Sequence, residues 1–152
     1  KLEDLVIASP DVGGSKRASS YAKYLGVDLV LCHKQRAKAN VVESMKIIGD
    51  VQGKNVIILD DMVDTAGTIT KAADLMIENG ALSVRAFASH GVLSDPATER
   101  IEKSKLTAIY FTDSIPLRKE SEKIKVLSVA ELIANTIINV NTNKSISSSY
   151  LV

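Results

Sequence analysis

The sequence is poor in the residues that small folds use as staples and anchors. Its 152 residues include one cysteine, no tryptophan and only 4% aromatic residues. A single thiol can form neither an internal disulfide framework nor a cysteine-based zinc site, and Cys32, inside the apolar run Leu29-Val30-Leu31-Cys32, reads as a buried core thiol. Long apolar stretches are also lacking. The runs are only a few residues long, against the roughly 18 that span a bilayer, and no charged-then-apolar leader opens the chain. No membrane association is expected, and a cytoplasmic compartment is. Nor is there an excess of either charge. Nineteen basic residues against 18 acidic ones leave a net charge of +1, which excludes nucleic-acid binding by bulk phosphate neutralisation. Any anion must be met by local groups. What the chain does have is a 45% hydrophobic composition over a length expected to bury roughly two thirds of its unfolded surface. That predicts one domain with a real core. The start Lys1-Leu2-Glu3-Asp4, without methionine and almost directly before a strand-like run, looks like a cut from something longer.

Periodicity alternates short β-rich runs with helical patterns, the signature of βαβ units around a mostly parallel sheet flanked by helices. An α/β fold is therefore expected, with strands over 5–9, 28–32, 56–59, 83–88, 108–111 and 125–127. Helices are expected over 15–25, 68–79, 96–103 and 129–139. The third of these strands carries the most information. Val56-Ile57-Ile58-Leu59 is apolar on both faces, as a central parallel strand must be, and ligands bind such sheets at the carboxyl ends of their strands. There the chain reads Asp60-Asp61-Met62-Val63-Asp64-Thr65-Ala66-Gly67-Thr68 and opens directly into an amphipathic helix. Small residues let a ligand approach the backbone, and the unpaired amides of a helix start suit a phosphate. Two adjacent carboxylates would repel that phosphate unless they have another task, which a sugar diol supplies. Phosphate on the helix and hydroxyls on the acids together describe a phosphorylated pentose. The plainer alternative is a strand end with solvated acids and a helix capped by Asp64 or Thr65. Neither a G-x-x-x-x-G-K-[ST] nor a G-x-G-x-x-G pattern occurs.

Two further clusters stand out. Ser9-Pro10-Asp11-Val12-Gly13-Gly14 ends the first strand and leaves Asp11 at the same sheet edge if the strands are parallel; by itself such an Asp is most often a turn residue. Lys16 and Arg17 follow on the next helix and read as a solvated or interface face. The polar stretch 33–40 carries Lys34, Arg36 and Lys38 at alternate positions and reads as an exposed loop, in which cations could close over a polyphosphate. His33 and His90 have no partner at a fixed spacing and receive no role.

The motif D-D-x-x-D-T-A-G-T after an apolar strand resembles the pentose-phosphate motif of the type I phosphoribosyltransferase fold, in the form found in the ribose-phosphate pyrophosphokinase (phosphoribosyl pyrophosphate synthetase) family. The run S-P-D-x-G-G-x-x-R and the pattern K-x-R-x-x-x-N are similar to the same family, in the expected order. The resemblance implies a substrate site for ribose 5-phosphate, with Asp60 and Asp61 on the ribose hydroxyls and Asp64, Thr65, Ala66, Gly67 and Thr68 around the 5′-phosphate. It implies a share of a Mg²⁺ site for Asp11 and transition-state stabilisation by Lys34 and Arg36. It further implies ATP as the second substrate and a match to the second half of a two-domain synthetase. Residues 1–140 would then form the phosphoribosyltransferase-like domain and 141–152 a polar tail. In that tail Ser147, Ser148, Ser149 and Tyr150 resemble part of a regulatory site for nucleotide diphosphate or phosphate in a homo-oligomer, although Val152 stands where an aromatic is usual. The missing N-terminal half would be a partner. A phosphoribosyltransferase and a non-catalytic partner of the synthetase are the alternatives. The first would need a base-binding hood, and usually has T-G-G-T where this chain has Thr65-Ala66-Gly67-Thr68.

Overall fold

A computed structural model describes residues 3–35 and 44–149. The elements run β1 (Leu5–Ser9), α1 (Ser15–Leu25), β2 (Asp28–Gln35), β3 (Ser44–Ile48), β4 (Asn55–Val63), α2 (Gly67–Glu78), β5 (Ser83–Gly91), α3 (Ala97–Lys103), β6 (Ala108–Thr112), β7 (Ile124–Leu127) and α4 (Ala130–Asn141), followed by a short 3₁₀ turn, Ser147–Ser149. The seven strands form one sheet in the order β3-β2-β1-β4-β5-β6-β7. Among the described residues only β3 is antiparallel to its neighbour.

Alternation along the strands divides the core into two faces. Val6 and Ala8 of β1 and Val56 and Ile58 of β4 are buried with Ile69, Ala72, Ala73 and Met76 of α2. Ile7 and Leu59 point to the opposite face and pack with Ala18 and Ala22 of α1. Two alanines on α1 let its backbone lie close to the sheet. The helix ends at Gly26, whose φ of 66° is the left-handed conformation that glycine adopts without steric cost. The α1 face is less covered toward β7. Phe87 and Tyr110 stack there with centroids 6.3 Å apart and are only half-buried.

Strand order sets the position of the site. From β1 the chain moves outward through α1 to β2, then returns to place β4 on the other side of β1. The carboxyl ends of β1 and β4 therefore flank the point where the winding reverses, and the crevice just outside it is where open α/β sheets take ligands.

All six expected strands and four expected helices are present, with two differences. β4 and β5 run past their apolar segments, so Asp60 and Asp61 lie within β4 and His90 within β5, opposite Met62. The expected loop over 33–40 is corrected at its start. His33, Lys34 and Gln35 continue β2 and pair with Lys46, Met45 and Ser44 of a strand that the periodicity reading missed. An edge hairpin needs its backbone ladder more than an apolar face, so polar residues are no bar to pairing. Residues 36–40 lie outside the described residues.

Close packing near the carboxyl edge gives one prediction. A Cβ on Gly91 would come within 2.9 Å of the Phe111 ring, itself fully buried. Gly91→Ala is expected to cost about 1–3 kcal/mol through overpacking, read as a lower denaturant midpoint. An unchanged midpoint would mean that the ring has room to move.

Candidate functional site

Two segments from distant parts of the chain meet at the winding reversal. Asp11, Asp60 and Asp61 line one cavity of about 280 Å³ together with residues 62–69. That volume is at the small end for ligand pockets, about 300–1,000 Å³, and suits a compact polar molecule.

The turn after β1 is fixed by its own hydrogen bonds. The Ser9 hydroxyl donates to the Asp11 carbonyl at 2.7 Å, and the Gly14 amide donates to Asp11 Oδ1 at 2.9 Å. Asp11 is thereby held at the cavity wall while its side chain stays exposed.

On β4, Asp60 Oδ1 accepts from the Asp61 amide at 2.9 Å, and Asp61 Oδ1 accepts from the Met62 amide at the same distance. Arg17, on α1, donates through Nη2 to Asp61 Oδ2 at 2.9 Å and places Nη1 3.8 Å from Asp60 Oδ1. The two acids differ electrostatically. Burial, aided by Asp61 and Asp11 and partly offset by the Asp61 amide, pushes the Asp60 carboxyl up to about 6. The neighbouring Asp60 side chain first, and then Arg17, hold the Asp61 carboxyl below the usual range. Both can accept from hydroxyls when ionised.

The loop after β4 turns at Ala66, whose φ of 58° is left-handed and unusual for a residue with a Cβ. No side chain caps α2. The expected alternative of an Asp64 or Thr65 cap is thus not what forms, because Ala66 itself is the cap residue. The first-turn amides of α2 are left open to the cavity edge, where an anion satisfies both them and the helix dipole. The loop is braced from behind. Arg100 of α3 donates to the Thr65 carbonyl at 2.9 Å, and the Thr70 hydroxyl donates to the Ala66 carbonyl at 2.7 Å.

The structure thus brings together Asp11, Asp60, Asp61 and residues 64–68. The other expected site residues lie apart from this cluster or beyond description. The backbone of Lys34 lies in β2, while its side chain and Arg36 lie outside the described residues. Ser147–Ser149 form the 3₁₀ turn, and Tyr150 also lies outside. His90 Nδ1 is 2.8 Å from the Ser114 hydroxyl, away from the cavity lining. Cys32 is fully buried, with its thiol pushed up to about 11 by burial and then by Asp11. Two arginines have contacts that the sequence does not indicate. Arg17, the last residue of the S-P-D-x-G-G-x-x-R run and expected on a solvated or interface face, instead pairs with the acids 43 and 44 positions away, a separation at which no local pattern shows pairing. Arg100 stands in no motif of the sequence.

Among the described residues no helix is long and apolar enough to cross a membrane. The family model described as "Phosphoribosyl synthetase-associated domain" matches residues 37–152. The chain is 61% identical over 149 residues to a ribose-phosphate pyrophosphokinase of Porphyromonas gingivalis, covering 98% of this chain and 48% of that protein. It is 53% identical to one of Wolinella succinogenes, covering 99% and 48%. The chain spans about half the length of the curated relatives it matches. Its structure is similar to a phosphoribosylpyrophosphate synthetase from Mycobacterium smegmatis, with a TM-score of 0.85 and 42% identity over 93% of this chain and 46% of that one. An adenine phosphoribosyltransferase shares the fold at a TM-score of 0.55 and 20% identity, over 73% of this chain and 67% of that one. With the type I phosphoribosyltransferase fold, the acid pair beside an uncapped helix and these relatives in place, the chain belongs to the ribose-phosphate pyrophosphokinase family.

Proposed function

We propose that the chain supplies the ribose 5-phosphate site and the catalytic loop of a ribose-phosphate diphosphokinase, as the second half of a two-domain protein. The observation that carries this is a single cavity in which the Asp60–Asp61 pair faces an uncapped, small-residue helix start. Acceptors at one end and amide donors at the other fit a sugar diol and a terminal phosphate on one molecule.

In the proposed reaction the C1 hydroxyl oxygen of ribose 5-phosphate forms a bond to the β-phosphorus of ATP. The bond from that phosphorus to the oxygen bridging the α-phosphate breaks, AMP leaves with that oxygen, and the hydroxyl proton is released. Phosphoribosyl pyrophosphate is the other product. The residues of this chain hold the nucleophile. Asp60 and Asp61 accept from the ring hydroxyls, and residues 64–68 fix the 5′-phosphate, which together aim C1 at the second substrate. Orientation of this kind removes much of the entropic barrier, on the order of 7–11 kcal/mol at best. Lys34 and Arg36 are proposed to stabilise charge on the transferring group.

Asp11 fits a Mg²⁺ ion. Among the described residues no group of three or more acidic, histidine or cysteine side chains could hold a metal, and Mg²⁺ takes one or two carboxylates and completes its shell with phosphate oxygens and water. Such an ion would neutralise phosphate charge when bound.

The proposed partner is the N-terminal half of the same polypeptide. Two features support it: the half-covered sheet face at Phe87 and Tyr110, and α4, which buries none of its residues and exposes Leu132, Ile133, Ile137, Ile138 and Val140. Homo-oligomerisation, regulation by nucleotide diphosphate or phosphate through Ser147, Ser148, Ser149 and Tyr150, and a cytoplasmic location complete the proposal.

The test is AMP release by the full-length protein, measured by a coupled assay. AMP is expected to form from ATP only when ribose 5-phosphate is present. A phosphoribosyltransferase or a non-catalytic partner would release none, and either result would overturn the proposal.

A further inference from the structure

We infer that Arg17 is a positioning residue for the ribose hydroxyls, holding the Asp60–Asp61 pair from behind without touching the sugar. This rests on the ribose 5-phosphate reading of the cavity.

Placement comes first. Arg17 is the third residue of α1, a helix anchored to the sheet through the fully buried Ala18 and the nearly buried Ala22. Its guanidinium therefore starts from a rigid base. The residue does not line the pentose cavity. It lies in the neighbouring apolar hollow with Ile7, Tyr21, Leu25 and Phe87, and Asp60 is the wall shared by the two spaces. An arginine so placed reaches the back of the acids while their front remains open to ligand.

The need for it follows from the strand. Successive side chains of an extended chain point to opposite faces, so adjacent carboxylates share no natural direction. Both nevertheless border one cavity, with Asp11 as a third acid there. Three negative groups in one small space repel one another and repel a sugar phosphate. The planar fork of one guanidinium answers both difficulties, since it contacts the two carboxylates at once and offsets part of their charge.

The fork is incompletely used. Nη2 makes a short bond to Asp61, whereas Nη1 sits 3.8 Å from Asp60, buried and without a hydrogen-bond partner among the described residues. A buried donor without a partner is costly and rarely idle. A shift of the Asp60 carboxylate as its outer oxygen takes a hydroxyl would let Nη1 close on it. Arg17 then favours the acid geometry that the sugar requires. Its guanidinium is committed to the acids, which argues against a direct contact with phosphate.

The test compares ribose 5-phosphate with 2-deoxyribose 5-phosphate, which lacks one of the two hydroxyls, in calorimetric titrations of the full-length protein. The wild type is expected to prefer the ribose ester by about tenfold or more, because acceptors built for a hydroxyl lose a bond with the deoxy sugar. Arg17→Gln is expected to weaken the ribose ester by on the order of 10- to 100-fold and the deoxy ester far less, so that the preference shrinks. Arg17→Lys, which keeps the charge but not the fork, is expected to fall between the two. An Arg17→Gln variant that keeps both its preference and its affinity overturns the inference. So does a loss that falls equally on both sugars in both variants, which marks a purely structural role. A wild type that binds neither ester, or binds both alike, removes the reading of the cavity itself, a result distinct from either of those.

Discussion

Asn at both Asp60 and Asp61 is expected to weaken ribose 5-phosphate binding by on the order of 10²- to 10⁴-fold, since each charge-assisted hydrogen bond is worth about 1.5–3 kcal/mol. Asn keeps an acceptor oxygen for the amides of Asp61 and Met62, so the local backbone bonds that now end on the acids survive. The loss is therefore chemical rather than a collapse of the strand. Calorimetric titration of the full-length double variant measures it, and affinity within threefold of wild type would remove the acids from the site.

The single Asp60→Asn variant carries a second consequence, in stability. Burial raises the Asp60 carboxyl from the ordinary 3.8 to about 6. Between those pH values the native chain keeps a proton that the unfolded chain has released, so stability falls as pH rises through that window. Above about pH 6 the full cost of an ionised, largely buried carboxylate is present. Asn removes it. The variant is expected to gain on the order of 1–2 kcal/mol at pH 8, reduced by solvent screening of a side chain that is 22% exposed, and to gain almost nothing near pH 4. Thermal midpoints at the two pH values check this. An equal shift at both would mean that packing, not charge, is responsible. If Asp60 holds the sugar as proposed, an acid that makes the empty protein less stable is an example of function placed against stability.

Ala at both Lys34 and Arg36 is expected to lower kcat by on the order of 10³-fold or more while changing ribose 5-phosphate affinity only a few-fold. The backbone supports this separation of effects. β2 is parallel to β1, whose last paired residue, Ser9, lies opposite Leu31. Lys34 lies three residues further along, about 10 Å beyond that pairing at the usual rise per residue. β2 thus runs on past the carboxyl edge that carries Asp11 and Asp60, which fits a role apart from holding the sugar. Steady-state kinetics with ribose 5-phosphate varied at saturating ATP separates the two constants. Equal losses in kcat and in sugar affinity would assign the pair to ground-state binding.

Much of the fold was legible because its signals are local. Periodicity marks α1 and α2 within a residue at each end, and the four apolar residues before Asp60 mark the central strand. β3 was missed although Met45 and Ile47 alternate with Lys46, because five residues beside a polar run carry too little pattern to outweigh it. The candidate pentose loop was legible for the same local reason, since strand, acids, small residues and helix follow in one unbroken run. The contact of Arg17 with the acids was not, although the residue stands in the S-P-D-x-G-G-x-x-R run. It depends on α1 packing on the sheet face beside β1 and β4, and no spacing in the sequence expresses a contact made by folding. Arg100 likewise reaches Thr65 only because α3 packs beside α2.

The turn at Ala66 bears on how such a site would decay. Its proposed hold on phosphate comes from main-chain N–H groups, which every residue except proline supplies, so many side-chain replacements would leave that half outwardly intact. A descendant that had abandoned the chemistry could therefore keep a faultless-looking loop. Loss would register first at the carboxylates and their guanidinium, and those three positions are the ones to inspect when a sister sequence is suspected of having fallen silent.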